Sequence, residues 1–365
     1  MIEMDVINRI KLLKLIASQW RTISGLSQNS IGYIGWVGHN NLGDEAMIYS
    51  FKKLFSNYKI FPYSTIKNFP RMEDKLRPRK LQAVALGGGT LINSPGSYDT
   101  LKKALEDYPD SIKFALGSGV KNPLFWNNVE GWQNNIANWI KLLEQCEYVS
   151  VRGPLSKKIL ADAGFERAEI IGDIALSLSD DHIIKKQKKK LLALNFGSGS
   201  GRIWGNEEKF FDQMVELIIH LIKEDWNITL FPVWEKDLKV ITQVAQRINK
   251  PIKIFTGYKS ISKTLKFLSG CDVLIGMKLH AVILAHCTYT PAIMLEYRPK
   301  CLDYMLSMDM EEFNIKTNHV EMNLVLSLLN QIYQNTQLYQ NALKTRIDHY
   351  KNLQWKSARQ LSRMF

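Results

Sequence analysis

A chain of 365 residues, 45% apolar and 23% charged, is long enough for two globular domains that each bury a core. Its 48 Lys and Arg against 35 Asp and Glu give a formal net charge of +13, which suits anionic partners such as a phosphorylated substrate or an anionic lipid surface. The basic residues are scattered rather than gathered in a stripe, which argues against nucleic acid. The four cysteines lack Cys-x-x-Cys spacing, which argues against structural zinc and disulfides and for free thiols in a reducing cytoplasm. No apolar run reaches the ~18 residues that span a bilayer.

Residues 1–29 form a first segment. Val6, Ile7, Ile10, Leu13, Ala17 and Trp20 recur at helical spacing, with Arg9, Lys11, Lys14 and Arg21 elsewhere around the helix. Charges through 2–15 replace the apolar core of a signal peptide. Two readings stay open: a helix packed on the protein or on a second subunit, or a basic helix lying on the inner membrane face. The oligomeric state is not set by the sequence.

From residue 30 to 178 short apolar runs alternate with helical spacing. Strands are predicted at 31–36, 58–62, 81–86, 112–116 and 148–151, and helices at 45–55, 132–146 and 154–163. Asn41 or Asp44 would cap the first helix. Gly87-Gly88-Gly89 and Gly117-Ser118-Gly119 read as loops following strands, and neither fits a known nucleotide fingerprint. Residues 179–190, rich in lysine, read as a linker.

The second half, 191–334, repeats the scheme, and a helix fills 335–365. Strands are expected at 191–196, 228–231, 252–255, 273–275 and 291–295, with helices at 207–223, 237–248, 262–269 and 278–288. The glycine- and serine-rich 197–201 lacks the nucleophile-elbow pattern and reads as a mobile lid. Alternation of this kind implies an α/β fold, two doubly wound parallel-sheet domains facing a cleft, with ligands at the carboxyl ends of strands.

The chemistry-bearing residues fall in those loops. In the first half they are His39, Asn40, Asp44, Asn93, Arg152 and Asp173; in the second, Arg202, Lys278, His280, Glu296, Arg298 and Lys300. Several cations beside helix N-termini suit a phosphate or carboxylate ligand. His280 has the residue type for a general acid or base. Asp173 could neutralise Arg152, and His286, among apolar neighbours, reads as a packed histidine. No metal-ligand cluster is visible, so metal-independent chemistry is expected.

Asn41-Leu-Gly-Asp-Glu-Ala46, Leu86-Gly-Gly-Gly-Thr-Leu91, Val151-Arg-Gly-Pro-Leu-Ser156, Gly172-Asp173, Lys278-Leu-His280 and Glu296-Tyr-Arg-Pro-Lys300, in that order, resemble the polysaccharide pyruvyl transferase family. The resemblance spans roughly 31–308. It implies a GT-B-like fold and transfer of a pyruvyl group from phosphoenolpyruvate, as co-substrate with no cofactor, onto two hydroxyls of a sugar as a cyclic ketal. It implies donor binding by Lys278, where relatives often have Arg, together with His280, Lys300 and, less directly, Arg298; Arg152, placed directly after a strand, could hold the same donor. His280 is then the candidate acid or phosphate stabiliser and Asp44 the candidate base. His39, Asn40, Asp44, Gly88, Gly89 and Asn93 would bind the sugar acceptor, free or lipid-linked. The rival readings are a GT-B glycosyltransferase using a nucleotide-sugar and a non-catalytic carbohydrate- or membrane-binding scaffold.

Overall fold

The computed structural model describes residues 29–63, 78, 80–180, 189–248 and 250–365. The amphipathic segment predicted at 1–29 lies outside the described residues up to 28, as does 181–188 of the predicted linker.

Among the described residues two parallel sheets form. The first has the order β2-β1-β3-β5-β6-β7, from β1 (Ser30–Ile34), β2 (Lys59–Pro62), β3 (Ala83–Leu86), β5 (Ile112–Val120), β6 (Tyr148–Val151) and β7 (Glu169–Ile170), with β4 (Gly89–Ile92) paired to β5. The second runs β10-β9-β8-β11-β12-β13, from β8 (Leu191–Asn195), β9 (Asn227–Leu230), β10 (Lys253–Ile254), β11 (Val273–Gly276), β12 (Ala292–Glu296) and β13 (Asn314–Lys316). Strands β3, β11 and β12 are buried throughout. A parallel sheet covered by helices on both faces requires that, and continuous runs such as Val273–Ile275 satisfy it. This is the two-domain, doubly wound architecture expected.

Each sheet reverses its winding once, between β1 and β3 in the first and between β8 and β11 in the second. Ligand crevices open at such reversals. In the second lobe the reversal is stitched shut beneath the site. Met277 N donates to Asn195 O (2.9 Å), and Lys278 N donates to Asn195 Oδ1 (2.8 Å).

Three local differences from expectation have physical causes. The glycine stretches do not stand free as loops: Gly89–Ile92 pairs with β5, and β5 continues through Gly117 to Val120. Glycine is needed at 119 because a Cβ there would strike the Arg152 guanidinium. The helix predicted at 132–146 shrinks to Ile136–Leu143, since Asn93 takes the chain ahead of it: Asn93 Oδ1 accepts from Asn135 N (2.9 Å). Finally, Pro95–Asp107 is a helix that the sequence reading left unassigned, opened by proline in its first turn.

The last helix, Thr336–Ser362, crosses back from the second lobe onto the first. Gln354 Nε2 donates to the carbonyls of Ile171 (3.0 Å) and Asp173 (2.9 Å), and Tyr148 and Ser357 share a hydroxyl–hydroxyl bond of 2.8 Å. A short 3₁₀ helix, Ile174–Leu178, is packed between this helix, the helix Leu42–Leu54 and the helix Leu279–His286. The two lobes are therefore joined by a continuous apolar core.

Candidate functional site

A cleft of about 510 Å³ opens between the lobes where the two reversals face each other. Arg152, immediately after β6, is only 1% exposed. A buried guanidinium needs compensation, and two carboxylates supply it. Asp173 Oδ2 lies 3.7 Å from Nη1, and Asp303 Oδ2 lies 3.9 Å from Nε; Nη2 also donates to Thr90 Oγ1 (3.3 Å). The predicted Arg152–Asp173 partnership is thus present.

Asp303, from the second-lobe helix Lys300–Ser307, was not singled out from the sequence. Its Oδ1 accepts from the backbone N–H of Leu155 (2.9 Å) and Ser156 (3.1 Å), and its Oδ2 from Ser156 Oγ (2.6 Å). Those are orphan donors at the start of the first-lobe helix Pro154–Asp162, whose own N-cap residue, Gly153, has no side chain. Asp303 caps that helix from the other lobe. A side chain at 153 would collide with it. Nothing in the linear sequence joins residues 153 and 303.

His280 occupies the first turn of the helix Leu279–His286 and points its Nε2 at Asp173 Oδ2, 3.7 Å away. Asp173 Oδ1 is already used by Ala175 N (3.0 Å). Arg152 Nε, Asp173 Oδ2 and His280 Nε2 are buried without a hydrogen-bond partner. A ligand oxygen could accept from Arg152 Nε, whereas Asp173 Oδ2 would need a hydroxyl or other donor. Burial pushes the His280 imidazole down to about 4; Asp173 opposes that, and Lys300 and Arg152 reinforce it. The imidazole is therefore neutral at pH 7, with one ring N–H to donate and one ring nitrogen to accept. Gly43 lies flush against this ring, where a Cβ would overlap Nδ1.

Asp44 lies in the first turn of the helix Leu42–Leu54, but Asn41 is its cap, with Oδ1 accepting from Gly43 N (3.0 Å). Freed from capping, Asp44 lines the cleft. Burial raises its carboxyl to about 7; Lys300 pulls it down, while Glu45 and Asp173 push it up.

Lys278 does not offer a free charge. Its Nζ donates to Ser198 O (2.6 Å) and lies 3.2 Å from Asp237 Oδ1, a buried carboxylate raised by burial and lowered in turn by Lys278 itself. Arg298 donates from Nε to Arg202 O (2.9 Å) and from Nη2 to Gly199 O (2.8 Å). Glu207 accepts from Gly199 N and, at 2.9 Å, from Gly201 N. The stretch predicted as a mobile lid is thus pinned at three points, by Lys278, Arg298 and Glu207.

Tyr297 is a second residue not chosen from the sequence. Lys278, Lys300 and Arg298 stand 5.5, 5.0 and 4.8 Å from its ring centre. Burial alone would raise its phenol, but these three cations outweigh it and lower the value. An aromatic residue followed closely by two basic ones in Glu296-Tyr-Arg-Pro-Lys300 was the available signal.

Of the residues expected at the site, Asp44, Gly89, Arg152, Lys278, His280, Arg298 and Lys300 line the cleft. Four expected on the acceptor side stand elsewhere. His39 and Asn40 are exposed, with His39 stacked on Trp36 at 4.6 Å. Gly88 is buried against Met47 and Ile174. Asn93 spends its amide on Lys121 O (3.2 Å) and Asn134 Oδ1 (2.9 Å). Glu296 is likewise committed, accepting from Trp204 Nε1 (3.0 Å) and Asn314 Nδ2 (2.6 Å). Polar residues in turn-rich segments serve turns as readily as ligands, and sequence alone does not separate the two uses. In their place Trp36 and Trp234, 5.3 Å apart and one from each lobe, wall the cleft. Flat aromatic faces of this kind suit the apolar face of a sugar ring. Packed histidine His286 is where it was expected: buried, bonded to Tyr304 OH (2.9 Å) and pushed down to about 3 by burial.

Comparison with known proteins places the chain further. The sequence model of the family described as polysaccharide pyruvyl transferase matches residues 41–299. No curated protein sequence matches the chain. Among solved structures, a putative UDP-N-acetylglucosamine 2-epimerase from Listeria monocytogenes superposes with a TM-score of 0.54, at 9% identity over 87% of this chain and 91% of that one. The MnaA–UDP complex from S. aureus gives 0.53, at 12% identity over 86% and 90%. UDP-GlcNAc 2-epimerase from Neisseria meningitidis gives 0.51, at 9% identity over 89% and 98%. At such identities the likeness is one of fold: two parallel-sheet lobes of the GT-B kind around a cleft.

Proposed function

Because the chain belongs to the polysaccharide pyruvyl transferase family, it is a transferase of polysaccharide pyruvylation, and we propose that phosphoenolpyruvate is its donor and a surface-polysaccharide sugar its acceptor. The observation that carries the donor assignment is the convergence of Arg152, Lys278, His280 and Lys300, drawn from both lobes, on one cleft. Phosphoenolpyruvate carries a carboxylate and a phosphate at the two ends of three carbons. Arg152 is the one planar fork among these four, suited to a bidentate oxyanion; Lys300 acts as a point charge, and Lys278, already paired with Asp237, adds a weaker one.

The reaction needs a proton at C3 of the donor, which generates an oxocarbenium-like C2. One sugar hydroxyl adds to C2 and loses its proton. The C2–O bond to phosphate then breaks, the second hydroxyl closes the ketal at C2, and its proton leaves with phosphate. Asp44, raised to about 7, can hold or release a proton near neutrality. His280, otherwise neutral at pH 7, takes a proton when an anion arrives beside it and then stabilises the departing phosphate. The walls of Trp36 and Trp234 would position the sugar.

The test is incubation of the full chain with phosphoenolpyruvate and candidate glycans, reading phosphate release together with the mass gain of one pyruvyl ketal. Phosphate release that depends on the glycan is the expected result. Turnover of a nucleotide-sugar, with no consumption of phosphoenolpyruvate, would refute the reading.

A further inference from the structure

Beside the cations already described, a second group of positive charges stands on Trp126. Lys121 Nζ lies 4.2 Å from the centre of that ring, the Arg298 guanidinium 5.5 Å and that of Arg202 6.0 Å. Lys121 comes from the first lobe, directly after β5, and the two arginines from the second. All three line the cleft. Among the described residues none of the three makes an ion pair with a carboxylate, in contrast to Arg152 and Lys278. Lys121 is partly buried, and its ammonium is pushed down to about 8 by burial first and then by repulsion from Arg298 and Arg202. Like charges brought this close repel, most strongly where Lys121 and Arg298 are partly buried, Arg202 remaining exposed. An anion bound among them offsets that repulsion.

We propose that Lys121, Arg202 and Arg298, gathered over Trp126, form a second anion site that holds the diphosphate of a glycosyl diphosphate acceptor. The assignment to the acceptor rests on the pyruvyl-transfer reading: the two acidic groups of the donor are already matched by Arg152, Lys278, His280 and Lys300. The Arg202 fork, the Lys121 ammonium and the Nη1 of Arg298, whose Nε and Nη2 already hold the carbonyls of Arg202 and Gly199, suit the clustered oxygens of a diphosphate. Arg298 covers both Trp126 and Tyr297, so this site abuts the donor cations, and a sugar attached to the diphosphate would lie within reach of the donor carbon. The cleft is several times larger than a three-carbon phosphoester needs. The diphosphate can be carried by a nucleoside or by a polyprenyl lipid; the chemistry recognised is the same.

The experiment is calorimetric titration of the full-length protein, saturated with phosphoenolpyruvate, with inorganic pyrophosphate. One pyrophosphate is expected to bind per chain. The pair Lys121→Ala and Arg202→Ala, checked for an unchanged melting temperature, should weaken it by at least roughly tenfold. His280→Ala should leave pyrophosphate affinity unaltered. Should the pair not fold, each single variant with Trp126 fluorescence quenching as readout carries the same test. UDP binding more tightly than pyrophosphate would identify a nucleoside carrier, and farnesyl diphosphate binding more tightly a lipid carrier; either supports the site. Pyrophosphate binding that is unchanged in the double variant, or that phosphoenolpyruvate displaces and His280→Ala abolishes, overturns it. If phosphoenolpyruvate itself does not bind, the donor reading fails, while titration of the donor-free protein still reports on the three cations.

Discussion

Without a bound anion His280 is neutral at pH 7, pushed down to about 4 chiefly by burial while Asp173 pulls the other way. A phosphate oxygen set beside it changes the balance. One negative charge ~4 Å from the ring at an effective dielectric of ~20 is worth about 4 kcal/mol, or roughly three pKa units. His280 of the liganded enzyme is then expected to titrate near ~7. At pH 6 the free imidazole is almost fully deprotonated and the liganded one almost fully protonated, so donor binding should draw close to one proton from solution. Asp44, at about 7, is already largely protonated at pH 6 and contributes little. The phosphate ester, with a second pKa of ~6, also exchanges protons, but it does so equally with a variant. The assay is phosphoenolpyruvate binding at pH 6 by calorimetry in buffers of different ionisation enthalpy, for the wild type and for His280→Gln. The difference in proton uptake between them belongs to His280. Equal uptake by both proteins, or none by either, would show that the imidazole does not face the donor's phosphate.

The remaining expectations concern the groups around it. For Asp44 the folded value of about 7 stands above the ordinary 3.8, so between those limits the folded protein binds more protons than the unfolded one and stability falls as pH rises, the loss being complete above 7. Asp44→Asn should therefore melt higher than the wild type at pH 8.5, by at most about 4 kcal/mol, with little difference at pH 4; an advantage that does not grow with pH contradicts the burial argument. Lys278→Met strands buried Asp237 and should cost roughly 3 kcal/mol, much of which Asp237→Asn in the same chain should restore, as urea unfolding of the four-member cycle would measure. Gly43→Ala drives a Cβ into the His280 ring and should lower kcat about 100-fold with unchanged helix content by circular dichroism; normal turnover would mean that the ring position is not critical.

The fold was readable because its strands are continuous apolar runs bounded by glycine, proline and polar residues. Val273–Gly276 and Tyr148–Val151 advertise themselves by composition, and helix Glu207–Lys223 by the spacing of Phe210, Met214, Leu217, Ile218 and Leu221. The charged lining was readable too, since a cation directly after a buried strand, such as Arg152 or Lys278, has few structural reasons to be there. What escaped was whatever depends on the other lobe. Asp303 caps a helix whose first residue is Pro154, and no local pattern encodes that. Asn93 and Asn40 have the residue types of sugar-binding groups, yet one completes a turn and the other takes positive φ (54°) in an exposed loop. Lys121 and Trp126 gain meaning only when Arg298 is brought over the same ring.

The returning helix Thr336–Ser362 has a consequence in time. Gln354 holds the carbonyl of Asp173, a residue made 181 positions earlier. During synthesis the first lobe leaves the ribosome with the acidic wall of its pocket unsupported, and it stays so until residue 354 has emerged. Domains that fold as they are made normally finish their own sites; here the first lobe waits for a helix made after the second lobe. A chain stalled or clipped before that helix would carry Arg152 and Asp173 but not the brace that sets them. The pocket wall of the first lobe is thus completed only after the second lobe has been made.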